Sequence, residues 1–184
     1  MAFDKDAICT VLHTINFATP PGSMVSKIVA IDGFGGAGKS TLAASVLGER
    51  DGVLLHTDDF ASWDQPLEWW PRLLNQVLEP LGINQTARYQ RYDWESQKLA
   101  EWHEIVPGGL IVLEGVSSSR AAFRPYLACS VWVDTPREVR LQRGLERDGD
   151  EAQDQWLKWM NEENSWAISE APRDHVDLVV IGTG

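Results

Sequence analysis

The chain is poor in cysteine and in basic residues, and it lacks a long apolar run. Two cysteines among 184 residues exclude a small disulfide-held domain. Lysine and arginine number 16 against 27 acidic residues, a net charge of −11, so we expect no general nucleic-acid binding. No apolar stretch approaches the roughly 20 residues of a membrane-spanning helix. The chain opens with acidic residues where a secretory signal needs basic ones, and we expect a cytoplasmic protein with reduced thiols.

The composition is otherwise that of an ordinary globular protein. Hydrophobic residues make up 43% and charged residues 23%, and the length suits one domain. We therefore expect a single domain over residues 1–184. In it, residues 1–24 form an N-terminal helix and linker, and residues 25–184 form the core.

Short apolar segments alternate with helical ones along the chain. The segments predicted as strands are 27–32, 53–57, 110–114, 130–134 and 177–181. The segments predicted as helices are 1–19, 39–49, 66–78, 95–105, 136–147 and 151–170, with a short helix or turn at 118–127. Strands that are apolar throughout are buried on both faces, and strands that alternate with helices form parallel sheets. The pattern predicts a three-layer α/β fold with a parallel sheet of about five strands.

The first predicted strand runs directly into a glycine-rich loop. Residues 33–40 read Gly-Phe-Gly-Gly-Ala-Gly-Lys-Ser and fit the P-loop pattern G-x-x-x-x-G-K-[ST]. Glycines let the backbone amides curl around phosphates, and the helix that follows adds its N-terminal dipole. The lysine of this pattern reaches the β- and γ-phosphates, and the hydroxyl binds magnesium. The residues expected to bind a nucleoside triphosphate are Gly33, Gly35, Gly36, Ala37, Gly38, Lys39, Ser40 and Thr41.

Two further predicted strands are followed by acidic residues. Asp58 and Asp59 follow the second strand, and Glu114 ends the strand 110–114 just before Gly115. Ligands of open α/β sheets bind beyond the carboxyl ends of the strands. Asp58 is the candidate to position an acceptor hydroxyl and take its proton, with Asp59 as the alternative. Glu114 has the Walker B position and is expected to hold magnesium. A helix cap or solvated turn is the structural alternative for the aspartates.

Four arginines recur along one predicted helix face, at positions 137, 140, 143 and 147. Like charges placed so close together repel, and an arriving phosphate would relieve that repulsion. Arg143 and Arg147 are the candidates for a lid over the phosphates. The alternative is a solvated helix whose charge is balanced by neighbouring glutamates.

Taken in order, these segments resemble the uridine kinase-like branch of the P-loop small-molecule kinases. The segments that carry the resemblance are IDGFGGAGKSTLA (31–43), HTDDF (56–60), RYDW (91–94), VLEG (112–115), DTPREVRLQRGLERDG (134–149) and HVDLVVIG (175–182). The resemblance implies a nucleotide-kinase fold with strand order 2-3-1-4-5. It also implies ATP and Mg²⁺, with the phosphoryl group passing to the hydroxyl of a small molecule.

The resemblance implies roles for individual residues as well. Asp58 resembles the aspartate that activates the sugar 5′-hydroxyl, and Asp93 resembles the one that binds the ribose hydroxyls. The implied acceptor contacts are Asp58, Phe60, Arg91, Tyr92, Asp93 and Trp94, within an acceptor region of about 60–105. The implied magnesium ligands are Ser40, Asp58 and Glu114. Arg143 and Arg147 fall in a lid of about 137–150.

Three departures from the family pattern concern the acceptor side and the lid. Ala61 stands where an aromatic residue is usual, Trp94-Glu95 replaces a histidine–proline pair, and Asp148-Gly149-Asp150-Glu151 replaces a second arginine–glycine segment. A nucleoside remains the expected acceptor. The alternatives are a kinase for a sugar, a vitamin precursor or an antibiotic, and a nucleotide-binding module that transfers no phosphate.

Nine tryptophans are an unusual number for this length. Trp63, Trp69, Trp70 and Trp94 fall in the acceptor region, where they either stack on a flat substrate or pack in the core. Core positions are expected for Trp132, Trp156, Trp159 and Trp166. The histidines show no metal-ligand spacing, and His56, His103 and His175 are expected to be structural.

Overall fold

Helices and strands alternate along most of the chain. The computed structural model describes residues 3–62 and 67–182. Its helices are α1 (Lys5–Phe17), α2 (Lys39–Glu49), α3 (Trp70–Leu73), α4 (Glu79–Gly82), α5 (Arg137–Asp148) and α6 (Gln153–Glu170), and a π-helical segment (Leu74–Leu78) joins α3 to α4. Its strands are β1 (Lys27–Asp32), β2 (Gly52–His56), β3 (Ala87–Asp93), β4 (Lys98–Ile105), β5 (Leu110–Glu114), β6 (Cys129–Asp134) and β7 (Leu178–Ile181).

Five strands of the described chain form a parallel sheet in the order β2-β5-β1-β6-β7. Counted among the strands of this sheet alone, the order is 2-3-1-4-5, and the expected order is confirmed. In the register of the sheet, Glu114 lies beside both Ile31 of β1 and His56 of β2. The carboxyl ends of β1, β2 and β5 therefore meet at one edge, directly before the P-loop.

Both faces of the sheet are buried, which explains why its central strands are apolar throughout. On one face, Ile28 and Ile111 pack in a cluster with residues of the helical stretch 70–82. On the other face, Val29 and Val112 pack in a second cluster with residues of α1 and α2. Each fully buried aliphatic side chain contributes about 1.5–3 kcal/mol. The two clusters hold the strand ends that carry the candidate site in fixed positions.

The segment between β2 and β5 differs from the prediction. Residues 95–105 are not helical, because β4 pairs with β3 in an antiparallel hairpin whose Ala87 and Ile105 lie opposite each other in the core. Leu99, Trp102 and Ile105 recur every three residues, a spacing that is typical of a helix. In β4 they fall on alternate faces, and Leu99 and Trp102 are about half exposed. Pairing with β3 makes this segment a strand, and the apolar pattern within residues 95–105 could not reveal that partner.

The remaining elements lie close to their predicted positions. The helix expected over 66–78 runs as α3, the π-helical segment and α4 from Trp70 to Gly82. Trp63, for which stacking or packing was expected, lies outside the described residues. In the part of the chain that the structure describes, no helix is both long and apolar enough to span a bilayer.

Candidate functional site

The P-loop connects β1 to α2 and has the curled shape that its glycines predict. Gly36 and Gly38 have φ angles of 75° and 103°. A Cβ on Gly36 would lie 2.5 Å from the carbonyl oxygen of Arg140, so a larger residue does not fit there. Lys39 begins α2, is largely buried, and donates from Nζ to the carbonyl oxygen of Phe34 at 3.1 Å. The loop, its lysine and the start of α2 together form a pre-shaped phosphate cradle.

Asp32, the last residue of β1, holds the P-loop from below. Its carboxylate is fully buried and accepts from the amide of Gly33 at 2.7 Å, the amide of Ser117 at 2.9 Å, and both the amide and hydroxyl of Ser119 at 2.8 and 2.7 Å. Burial raises the pKa of Asp32, and the bonds from Ser119 and Gly33 oppose that rise. Sequence reasoning missed this residue. Its signal is a charged residue at the end of an otherwise apolar strand.

Glu114 stands next to the P-loop serine, as the Walker B position requires. The Ser40 hydroxyl donates to Glu114 Oε1 at 3.2 Å, and His56 Nδ1 lies 2.8 Å from Oε2. Burial alone would raise the pKa of Glu114, but the His56 bond and the charge of Lys39 outweigh it and lower that pKa. The same bond raises the pKa of His56. His56 was expected to be structural, and its place beside Glu114 follows from the pairing of β2 with β5.

These oxygens fit magnesium, although none of the described His, Cys, Asp and Glu side chains form a three-membered cluster suited to a metal. Mg²⁺ is usually held by one or two carboxylates together with substrate phosphates and water. The adjacent hydroxyl of Ser40 and carboxylate of Glu114 are hard oxygen donors of that kind.

Asp58 and Asp59 lie in a short 3₁₀ turn (Thr57–Asp59) directly after β2. Asp59 accepts a hydrogen bond from the Tyr89 hydroxyl at 3.0 Å. Within the described residues the carboxylate of Asp58 forms no hydrogen bond, and it is accessible to solvent. Partial desolvation by the surrounding protein raises the pKa of Asp58, the charge of Lys39 lowers it, and that of Glu114 raises it. Asp58 is therefore the aspartate on which the charges of Lys39 and Glu114 act, and it follows the strand whose His56 lies beside Glu114.

The hairpin β3–β4 brings an aromatic side chain to this cleft. The Trp94 indole donates to the carbonyl oxygen of Asp58 at 3.0 Å, and its ring meets that of Tyr92 edge-on at 5.4 Å. Gly115, at a φ of 142°, lets the chain after β5 pass close to Thr57, because a Cβ there would overlap the threonine side chain. The chain after β5 therefore lies close to the turn after β2, and that turn contacts the hairpin through Trp94.

Three predicted acceptor contacts are engaged elsewhere. Phe60 is 2% exposed and packs between Trp69 and Tyr89, so its ring belongs to the core and the expected substrate contact is not supported. Asp93 accepts from the amide of Ser96 at 3.0 Å and from Arg91 at 3.4 Å. Arg91 itself forms two bonds to Glu101, at 2.7 and 3.2 Å. Asp93 is thus the last residue of β3, and its carboxylate caps the hairpin turn that follows.

The four arginines of α5 have separate environments. Arg140 is 4% exposed, so the solvated-helix interpretation is wrong for it. Arg143 donates to the carbonyl oxygens of Gly36 and Ala37 at 3.2 and 3.4 Å. Arg147 is mostly exposed and forms two bonds to Asp148, at 2.8 and 2.9 Å. The Asp148 bond raises the pKa of Arg147, and the charge of Asp58 adds to that rise.

Comparison with known proteins agrees with this geometry. No protein-family model matches the chain. Its fold is similar to a possible uridine kinase from Bacillus stearothermophilus, with a TM-score of 0.70 and 21% identity over 95% of this chain and 97% of that one. It is also similar to a putative fructose transport system kinase from Silicibacter sp. TM1040, with a TM-score of 0.65 and 18% identity over 94% and 98% of the two chains. The fold is that of the P-loop kinases.

Curated relatives indicate which of the P-loop kinases the chain resembles in sequence. The chain is 29% identical to a uridine kinase of Alkaliphilus metalliredigens over 67% of this chain and 68% of that protein. It is also 29% identical to a uridine kinase of Borrelia duttonii over 66% and 67% of the two proteins. The resemblance to the uridine kinase-like P-loop kinases, expected from the motifs, is confirmed.

Proposed function

We propose that the protein transfers the γ-phosphoryl group of ATP to a hydroxyl of a small molecule, with a nucleoside as the acceptor. The convergence in one cleft of Lys39, the Ser40–Glu114 pair and the solvent-accessible carboxylate of Asp58 carries the proposal. A P-loop alone supports nucleotide binding. An accessible aspartate beside it adds the group that a hydroxyl acceptor needs.

The proposed reaction is a direct in-line displacement. The acceptor oxygen forms a bond to the γ-phosphorus, the bond from that phosphorus to the bridging oxygen of ADP breaks, and the proton of the hydroxyl goes to Asp58. Lys39 lies where charge grows on the transferred group, and Arg147 faces the same space from the lid of about 137–150. Magnesium, held by Ser40 and Glu114 with Asp58 nearby, would neutralise phosphate charge.

The acceptor is inferred from the hairpin and from the relatives. Trp94 lies against the backbone of Asp58 and offers a flat face beside the reacting hydroxyl. The curated relatives are named uridine kinases. A base stacked near Trp94 with its sugar directed to Asp58 satisfies both observations. Residues 60–105 are the proposed acceptor region.

An assay of ATP consumption against a panel of hydroxyl compounds tests the proposal. Uridine and cytidine are expected to stimulate ADP formation more than a hexose, a vitamin precursor or an aminoglycoside does. Product mass should show one added phosphoryl group. Stimulation by a hexose but not by a nucleoside would refute the proposed acceptor and support the proposed kinase activity. ATP binding without turnover on any compound would refute the proposed kinase activity and favour a nucleotide-binding module.

A further inference from the structure

A buried carboxylate touches the P-loop from the side of the lid. Glu163 lies in the middle of α6 and is 1% exposed. Its Oε1 accepts from the amide of Gly35 at 2.8 Å and from the indole nitrogen of Trp159 at 2.6 Å. A carboxylate removed from water is costly unless it is paired and hydrogen-bonded. The bond from Gly35 to Glu163, which lies 128 positions away in the sequence, therefore offsets part of the cost of burying this carboxylate.

Arg140 completes this contact from α5. Its Nη1 lies 3.6 Å from Glu163 Oε2, its Nε donates to the carbonyl oxygen of Thr135 at 3.1 Å, and its guanidinium lies 4.5 Å from the centre of the Phe34 ring. Neither Glu163 Oε2 nor Arg140 Nη1 has a hydrogen-bond partner within the described residues, so each depends on the charge of the other. We call Arg140, Trp159 and Glu163 the loop brace.

The contact between the loop brace and the P-loop is tight. A Cβ on Gly35 would lie 3.0 Å from Glu163 Oε1 and 3.3 Å from the Trp156 ring. On the next residue, a Cβ on Gly36 would meet the backbone of Arg140. The loop therefore cannot shift toward α5 or α6 without a steric clash, and it cannot shift away from α6 without breaking the bond to Glu163. Its curled shape and the position of the lid helices are linked through these contacts.

We propose that Glu163 is a positioning residue for nucleotide binding. It orients the Gly35 amide from outside the cradle and thereby keeps the P-loop in the shape that phosphates need, and Arg140 balances its charge. This inference rests on the nucleotide-binding half of the proposed function and requires nothing of the acceptor. Neither Glu163 nor Trp159 belongs to any motif that carries the family resemblance.

The experiment is calorimetric titration of the full chain with ATP and Mg²⁺, without acceptor. E163Q keeps the size of the side chain but loses its charge and directs an amide group toward Arg140. It is expected to raise the Kd for ATP by roughly tenfold, since hydrogen bonds to charged groups are the stronger ones. E163A should raise the Kd further. E162Q is the matched control, because Glu162 is the adjacent residue of α6, is partly exposed and has a 4.0 Å contact to Lys158.

Binding is measured well below the melting temperature of each variant, so that lost stability does not enter the Kd. A Kd for E163Q within twofold of both wild type and E162Q, with a lowered melting temperature, would show a structural role and overturn the inference. If E163A does not fold, E163Q decides. A wild-type chain that binds no ATP would overturn the proposed function and this inference together. An unchanged E163Q beside a binding wild type overturns the inference alone.

Trp159 supplies a spectroscopic check on the same bond. Its indole donates to the carboxylate that holds Gly35, so filling of the cradle by ATP should change its emission. The ATP-induced change in tryptophan fluorescence is expected to fall strongly in W159F. It should also fall in E163Q at saturating ATP. An unchanged signal in both variants would count against the loop brace.

Discussion

The nucleotide side and the acceptor side of the cleft are built differently. The P-loop is fixed by Asp32, directly before it, and by Arg143 and Glu163 from distant parts of the chain. The hairpin β3–β4 forms several of its polar contacts within itself, such as Arg91 to Glu101 and Asp93 to Ser96, and it bonds to the turn after β2 through Tyr89 and Trp94. A site that many elements share tolerates little change. A hairpin that satisfies its own polar groups can vary with the acceptor while the sheet stays the same.

The largest expected effect is on the nucleotide side. Lys39→Ala removes the positive charge that lies where charge grows on the transferred phosphoryl group, and we expect turnover to fall by roughly 10³-fold. Steady-state ADP formation measures the effect. Lys158→Ala, on an exposed stretch of α6, is the control and should retain wild-type turnover. Near wild-type turnover in the Lys39 variant would refute the role of the P-loop.

The second prediction concerns Asp58, which lies between the nucleotide side and the acceptor side of the cleft. Asp58→Asn keeps a polar group of the same size but cannot take a proton, so turnover should fall by roughly 10²-fold while the Kd for ATP stays close to wild type. Asp59→Asn is the matched control, because Asp59 is bonded to Tyr89 and not directed to the phosphates. If the Asp59 variant loses turnover and the Asp58 variant does not, the two roles are exchanged.

The nucleotide side was largely predictable from the sequence, because its signals are local and ordered. Buried strands that lead to Gly33, Asp58 and Glu114 located three sides of the cleft, and the resemblance to the uridine kinase-like kinases implied the sheet order. Asp32, His56 and Glu163 were missed, because their importance arises from neighbours 58 to 128 positions away. No spacing in the sequence shows such a contact.

The acceptor side was predicted less well for a related reason. The apolar spacing in 95–105 favours a helix, and only its pairing with β3 makes the segment a strand. Phe60 was expected to meet the substrate, yet it follows the turn after β2 into the core. A short amphipathic segment does not specify which strand or helix it packs against. The P-loop pattern, in contrast, can be recognised without knowledge of its neighbours.

The third prediction separates the lid from the P-loop. Arg147→Ala removes a charge that faces Asp58 without touching the loop, so turnover should fall roughly tenfold and the Kd for ATP should change little. Arg143 is a poorer test, because its bonds to Gly36 and Ala37 mix loop structure with catalysis. Arg137→Ala, at the exposed start of α5, is the control. Unchanged turnover in the Arg147 variant would support a solvated helix end.

The smallest effects are expected on the hairpin, and they decide what it recognises. Trp94→Ala should raise the KM for the acceptor about tenfold and leave the Kd for ATP unchanged, since stacking on one ring is worth roughly 1–3 kcal/mol. Asp93→Ala should lower the melting temperature and leave both constants within twofold, because its carboxylate caps the turn. A large rise in acceptor KM for the Asp93 variant, with no change for a 2′,3′-dideoxy acceptor, would restore its role in binding ribose hydroxyls. That result would require the carboxylate to leave Ser96 when substrate binds, and the hairpin would then be remodelled by its acceptor while the P-loop remains held from both sides.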